Sequence, residues 1–81
     1  MYLYLGSDVV IPKSEVIGIF DIERVTVDQY MKDFLNVSQK RGKIYYVSFD
    51  MPKSVIVSTD TVYISNVSPD TLKKRAASKS Y

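Results

Sequence analysis

Two basic groupings are the side chains best placed to do chemistry in this 81-residue chain: Lys40, Arg41 and Lys43, and a run at Lys73, Lys74 and Arg75 with Lys79 beyond it. Ammonium and guanidinium groups combine fixed positive charge with hydrogen-bond donation, which suits phosphate oxygens or an acidic surface. Phosphate contacts of this kind give affinity without sequence specificity and weaken as salt rises. Both groupings also have a structural reading, because cations near a helix C-terminus interact favourably with its dipole. Tyr45 and Tyr46 adjoin the first grouping and would add contact area to a phosphate-binding patch. They belong to a set of seven tyrosines, a residue type that in small β-rich domains serves mostly at core edges and interfaces.

Other chemistries are narrowed by what the chain lacks. It has no Cys and no His, which excludes disulfides, thiolate nucleophiles, the usual zinc ligand sets and imidazole acid–base catalysis. Asp21 with Glu23, or Asp8 with Glu15, could be read as acid pairs, but no metal-ligand spacing or Gly-rich phosphate loop accompanies them. No catalytic residue, metal ligand or cofactor is assigned, and the expectation is a non-enzyme without a small-molecule substrate. Charge is unevenly distributed: residues 1–36 hold three bases and six acids, and residues 37–81 hold eight bases and three acids. That asymmetry produces a sided field despite a net charge of only +2. The opening MYLYLGSD has no basic leader, and no apolar run approaches the roughly 20 residues that span a bilayer. A cytoplasmic location without membrane contact is expected.

The elements that must position these groups read as an α+β domain. Strand character occurs at residues 1–5, at Val9–Ile11 before Pro12, and over Glu15–Phe20, where Gly18 marks a bulge or a close backbone approach. Asp21–Arg24 reads as a charged connector. Thr26 and Gln29 fit a capping box, with Val25 and Tyr30 as hydrophobic staple, opening a helix over about 27–41. Val27, Tyr30, Met31, Phe34 and Leu35 form its apolar stripe, and Gly42 stops it. Lys43–Phe49 reads as a strand with Tyr45, Val47 and Phe49 on one face, followed by a turn at Asp50–Lys53.

The next segment can be registered. With a turn at Thr59-Asp60, Val57 faces Val62 and Val55 faces Ile64 on one side, while Ile56 pairs with Tyr63 among Ser and Thr on the other. The Val/Ile face should meet the helix. The hydroxyl-rich face reads as half-exposed, which makes Ile56 and Tyr63 candidate interface residues. Ser68-Pro69 then reads as N-cap and first helical position of a short helix over about 69–76. The expected architecture is one domain, residues 1–76, with five or six mainly antiparallel strands, one amphipathic helix on a face and a short C-terminal helix. Residues 77–81 should fray.

The stretch MYLYLGSDVVIPKSEVIGIFD, the helix beginning at Thr26, and PKSVIVSTDTVYIS followed by SPDTLKKR resemble the small bacterial family of extracellular matrix regulatory proteins, nearer to its B-type branch. The resemblance covers nearly the whole chain, through strand and helix-start patterns. It implies a DNA-binding activator of biofilm-matrix genes, built as a compact subunit with one antiparallel sheet and assembled into a ring. In the A-type branch, bases before the third strand and in the turn before the last hairpin contact DNA. Here those places hold Glu15, with Lys13 just upstream, and Asp50-Met51-Pro52-Lys53. The resemblance thus adds Lys13 and Lys53 to Lys40, Arg41, Lys43, Lys73, Lys74 and Arg75 as candidate phosphate contacts. The leading expectation is a homo-oligomeric DNA-binding regulator, in which repetition of the subunit multiplies a few bases through avidity. The competing one, favoured by Glu15 and Asp50, is an oligomeric interaction module in the same regulation that does not itself touch DNA.

Overall fold

Residues 1–78 are described by the computed structural model. β1 (Tyr2–Gly6) and β2 (Val9–Pro12) form a hairpin, and a 3-10 turn (Lys13–Glu15) leads into β3 (Val16–Asp21). Two consecutive helices follow, α1 (Ile22–Val27) and α2 (Gln29–Lys40). β4 (Ile44–Tyr46), β5 (Ser54–Ser58), β6 (Val62–Ser65) and α3 (Pro69–Ala77) complete an α+β fold. The strands divide into two sheets rather than one: β1 and β2 pair alone, and the other four lie in the order β3-β5-β6-β4. Most pairings are antiparallel, but β4 runs parallel to β6, with Ile44, Tyr45 and Tyr46 opposite Val62, Tyr63 and Ile64. Gly18 marks a bulge, since the register of β3 against β5 shifts between Val16 and Gly18.

The β5–β6 hairpin has the register that its alternation predicts: Ser54 pairs with Ser65, Val55 with Ile64, Ile56 with Tyr63 and Val57 with Val62. Val55, Val62 and Ile64 form one core cluster with Val25, with Ile22, Met31, Leu35, Ile44 and Val57 packed around it. This is the face covered by α1 and α2. The opposite face is not half-exposed. Ile56 is 0% exposed and shares a second cluster with Leu3, Leu5, Ile11, Val47 and Leu72, while Tyr63 packs against that cluster, partly buried. The β1–β2 hairpin and α3 supply this cover, so Ile56 belongs to the subunit interior rather than to an interface.

The serines beside Ile56 are buried because backbone partners come to them. Ser65 Oγ donates to the Leu5 carbonyl at 2.7 Å and accepts from the Val67 N–H at 3.0 Å. Ser54 Oγ donates to the Val67 carbonyl at 2.8 Å, and Ser58 Oγ to the Thr61 carbonyl at 2.6 Å. Among the described residues no buried side-chain polar atom is left without a partner. A hydroxyl-rich face can therefore be an interior one when neighbouring backbone is within reach.

Helix starts differ from the expected capping box. Asp21 caps α1 by accepting from the Glu23 N–H at 2.9 Å, so the charged connector is the first turn of a helix. Thr26 lies inside α1 and donates to the Glu23 carbonyl at 2.9 Å. The chain then extends at Asp28 (φ −92°, ψ 119°), whose carboxylate caps α2 by accepting from the Met31 N–H at 3.2 Å. Asp caps at least as well as Thr, and the later cap wins. This start points Met31, Leu35 and Ser38 inward and leaves Tyr30 88% and Val27 78% exposed. The stripe of five is split, and no staple forms between buried Val25 and exposed Tyr30.

Three further boundaries follow local bonding. The strand expected over Lys43–Phe49 ends at Tyr46. Val47 N–H still reaches the Ile64 carbonyl at 2.8 Å, but the Asp50 N–H turns back to Ser48 Oγ at 3.1 Å and Phe49 is 96% exposed. Ser68 caps α3 with Pro69 in its first turn, and the helix extends through Ala77. Ser78 is its C-cap, and residues 79–81 of the expected frayed tail, Lys79 included, lie outside the described residues.

Two stability changes test this architecture. Ile56→Ala should destabilise the subunit by about 2–5 kcal/mol, as a buried large-to-small change does, measured as a urea-unfolding midpoint; an unchanged midpoint would place Ile56 outside the core. Gly42 ends α2 at φ +68°, with nothing within 4 Å of an added Cβ. Gly42→Ala should therefore cost only the conformational strain, about 1–2 kcal/mol in the left-handed region, read by the same titration.

Candidate nucleic-acid interface

The eight candidate bases are distributed over three regions, and two of the eight are committed inside the subunit. Lys13 is half-buried, and its Nζ donates to the carbonyl of Ser78, the C-cap of α3. Arg75 donates from Nη1 to the Tyr4 carbonyl at 3.1 Å, and its guanidinium carbon lies 5.1 Å from the centroid of the Tyr4 ring. Both residues fasten α3 to the N-terminal segment. Favourable cation–π geometry and a charged donor on a backbone carbonyl account for them without any ligand.

Lys53, Lys73 and Lys74 are exposed. The backbone of Lys53 is fixed at both ends: its N–H bonds to the Ser65 carbonyl at 2.9 Å and its carbonyl accepts from the Ile22 N–H at 3.0 Å. Its side chain borders a groove that also contains Asp21, Glu23 and Asp70. Lys73 lines a neighbouring groove with the same three carboxylates and Arg24. Positive charge here is offset by acids from α1 and α3, which makes the region a poor footprint for a polyanion.

Lys40, Arg41 and Lys43 are the exception. All three are exposed at the turn from α2 into β4. The turn is built by bonds from Arg41 N–H to the Val37 carbonyl (3.1 Å), Gly42 N–H to the Gln39 carbonyl (3.0 Å) and Lys43 N–H to the Ser38 carbonyl (2.9 Å). Arg41 and Lys43 border an open cleft of about 450 Å³ floored by Ile17, Phe34, Val37 and Val57, where Asp60 is the one acidic lining residue. Tyr45 and Tyr46 follow on β4, half-exposed, with Tyr45 edge-on to Tyr63 at 5.9 Å and Tyr46 stacked on Phe49 at 6.3 Å.

The two places singled out by the family pattern do not converge within one subunit. Glu15 precedes β3, where its carbonyl accepts from the Thr59 N–H at 3.0 Å, beside the β5–β6 turn. Lys53 lies at the other end of the β3–β5 pair, where Asp21 is opposite Ser54. The intervening strand separates them by about 15–20 Å, at roughly 3.3 Å per residue. A joint contact from both would need two subunits or a long ligand.

Sequence reasoning did not single out Met51, which is 81% exposed, or the display of Phe49 beside it. The available signal was Pro52 close after Phe49, a residue that discourages an ongoing strand. Among the described residues no group of three or more Asp, Glu, His or Cys could hold a metal ion, and no helix is long and apolar enough to cross a membrane.

Comparison with known proteins converges on one family. A family model described as RemA-like, extracellular matrix regulatory protein A-like, matches residues 2–76. Extracellular matrix regulatory protein B of Bacillus subtilis (strain 168) is 34% identical over 76 residues, covering 94% of this chain and 90% of that protein. With both matches extending from the first hairpin to the last helix, the chain belongs to the extracellular matrix regulatory protein A-like family.

Proposed function

We propose that this protein regulates extracellular-matrix gene expression by binding DNA as a homo-oligomer, with Lys40, Arg41 and Lys43 as its principal phosphate contacts. The family membership and the relative's name support the regulatory part of this reading. The observation that carries the DNA part is the exposed basic turn after α2, beside a cleft with a single acidic lining residue. Lys53, Lys73 and Lys74 would add weaker contacts, because Asp21, Glu23 and Asp70 border the grooves of the first two. One subunit offers three clustered bases, and repetition around a symmetric assembly would raise the effective affinity through avidity.

A second reading has its own support. Lys13 and Arg75 are engaged internally, and Glu15 and Asp50 are acids where the family resemblance implies basic residues. An assembly that regulates through protein contacts alone fits those four residues.

Salt-dependent binding separates the two. Fluorescence anisotropy with duplex DNA should show affinity falling linearly on a log–log plot against salt, with a slope near −0.9 per phosphate neutralised. Lys40→Ala and Lys43→Ala should each reduce that slope by about one per contact removed. Absence of binding at low salt, or binding indifferent to salt, overturns the DNA reading. Arg75→Ala provides the contrast: it should destabilise the subunit by about 1–3 kcal/mol, as loss of a charged hydrogen bond does, read as a lower urea-unfolding midpoint, and leave the salt slope unchanged.

A further inference from the structure

We propose that the cleft between the end of α2 and the β5–β6 turn takes one unpaired nucleobase, with that nucleotide's own phosphate on Arg41 and Lys43 and an exocyclic amine of the base on Asp60. This rests on the DNA reading above and deepens it: the phosphate contacts stay where they are, and the cleft adds an element that tells bases apart.

Phosphate contacts supply affinity and position but carry no sequence information, so the basic turn alone leaves the bases unread. The cleft beside it, at about 450 Å³, is within the range of roughly 300–1,000 Å³ that small-ligand sites occupy. Ile17, Phe34 and Val37 line it at 68, 41 and 48% exposure. Open apolar surface with an aromatic ring, next to a cationic rim, suits the flat face of a base whose backbone runs along the rim. The walls are fixed in advance by backbone bonds. Lys43 N–H reaches the Ser38 carbonyl at 2.9 Å, Val62 N–H the Lys43 carbonyl at 2.8 Å, and Thr59 N–H the Glu15 carbonyl at 3.0 Å. These tie α2, β4, the β5–β6 turn and the start of β3 around one opening.

The charges select the two ends of the ligand. Arg41 and Lys43 stand on the α2 side of the cleft and Asp60 on the turn side, all three exposed. Among the described residues none of the three is paired through its side chain, so opposite charges border one cleft without neutralising each other. A ligand that bridges them is anionic at one end, flat and apolar-faced in the middle, and a hydrogen-bond donor at the other. A nucleotide with an amino-bearing base has those parts in that order. Ser58 Oγ is already taken up by the Thr61 backbone, donating to its carbonyl at 2.6 Å and accepting from its N–H at 3.2 Å, which leaves the base edge to Asp60. A carboxylate accepts from the N4 amine of cytosine, whereas thymine has O4, another acceptor, at that position. Inside a duplex the base is stacked and paired, so the one that enters must be single-stranded or flipped out.

Fluorescence anisotropy of the full chain with labelled oligo(dC) and oligo(dT) of equal length, beside a duplex, tests this. Oligo(dC) should bind about tenfold tighter than oligo(dT), within the range for one base-edge contact. Asp60→Asn should erase that preference and leave the salt slope unchanged, because an amide both accepts from cytosine and donates to thymine. Phe34→Ala should weaken both strands about tenfold, as loss of one stacked base does, again with the salt slope unchanged. Asp60 lies in an exposed turn, so its variant decides the matter even where Phe34→Ala perturbs α2. Unlabelled cytidine monophosphate separates the two sources of the ligand: displacement of oligo(dC) assigns the cleft to free nucleotides as well, and binding confined to strands assigns it to nucleic acid, both in support. Equal affinity for the two strands, unmoved by Asp60→Asn and Phe34→Ala, overturns the cleft and leaves the phosphate contacts standing. If neither strand, duplex nor cytidine monophosphate binds at low salt, the cleft and the DNA reading are both overturned.

Discussion

The burial of β5 on both faces is the constraint on which the rest of this small fold depends. Ser54, Val55 and Ile56 are all fully buried, so the strand needs an apolar layer on each side. An 81-residue chain has little material for two layers. One comes from α1 and α2, just upstream of the strand region. The other is assembled from the two ends, the β1–β2 hairpin and α3, which meet over Ile56 through Leu3, Leu5 and Leu72. Small domains bury a modest share of their surface, and this one does so by wrapping its termini over a four-stranded sheet.

That wrapping determines where charge can be displayed. The two ends are held together partly by cations, Lys13 on the carbonyl of Ser78, the C-cap of α3, and Arg75 on Tyr4. Side chains used in this way are not available to a ligand. Bases on connecting turns, where the backbone is bonded but the side chains face solvent, stay available. The turn after α2 is such a place, and it also ends a helix that leaves Tyr30, Phe34 and Val37 exposed. The fold thus sets an electropositive rim beside a hydrophobic cleft, with the acids of α1 and α3 lining separate grooves.

Local rules made much of this legible. The β5–β6 register could be read because each face alternates and a one-residue slip would mix them. Ser68-Pro69 and Gly42 stood out because caps and left-handed stops depend on a residue or two. What failed depended on distance along the chain. Nothing local to Ile56 says that Leu5, with its carbonyl on Ser65 Oγ, will cover that face. Thr26 and Asp28 are both good caps, and the choice was made by how the following helix docks, which also divided the apolar stripe of α2. The bases were visible as a set, but the engagement of Arg75 by a carbonyl 71 positions away was not.

The meeting of the termini has a kinetic meaning. The bonds Ser65–Leu5, Lys13–Ser78 and Arg75–Tyr4 close separations of 60, 65 and 71 residues. The β5–β6 hairpin closes over a few. Loop-closure entropy rises only slowly with length, about 0.6 kcal/mol per doubling, but contacts of high sequence separation slow folding as a class. The hairpin with its helix cover is the part able to form early, and the terminal layer is the one that closes last. Weakening a late contact acts mainly by speeding unfolding rather than by delaying folding, so Lys13 and Arg75 function as latches on the lifetime of the native state.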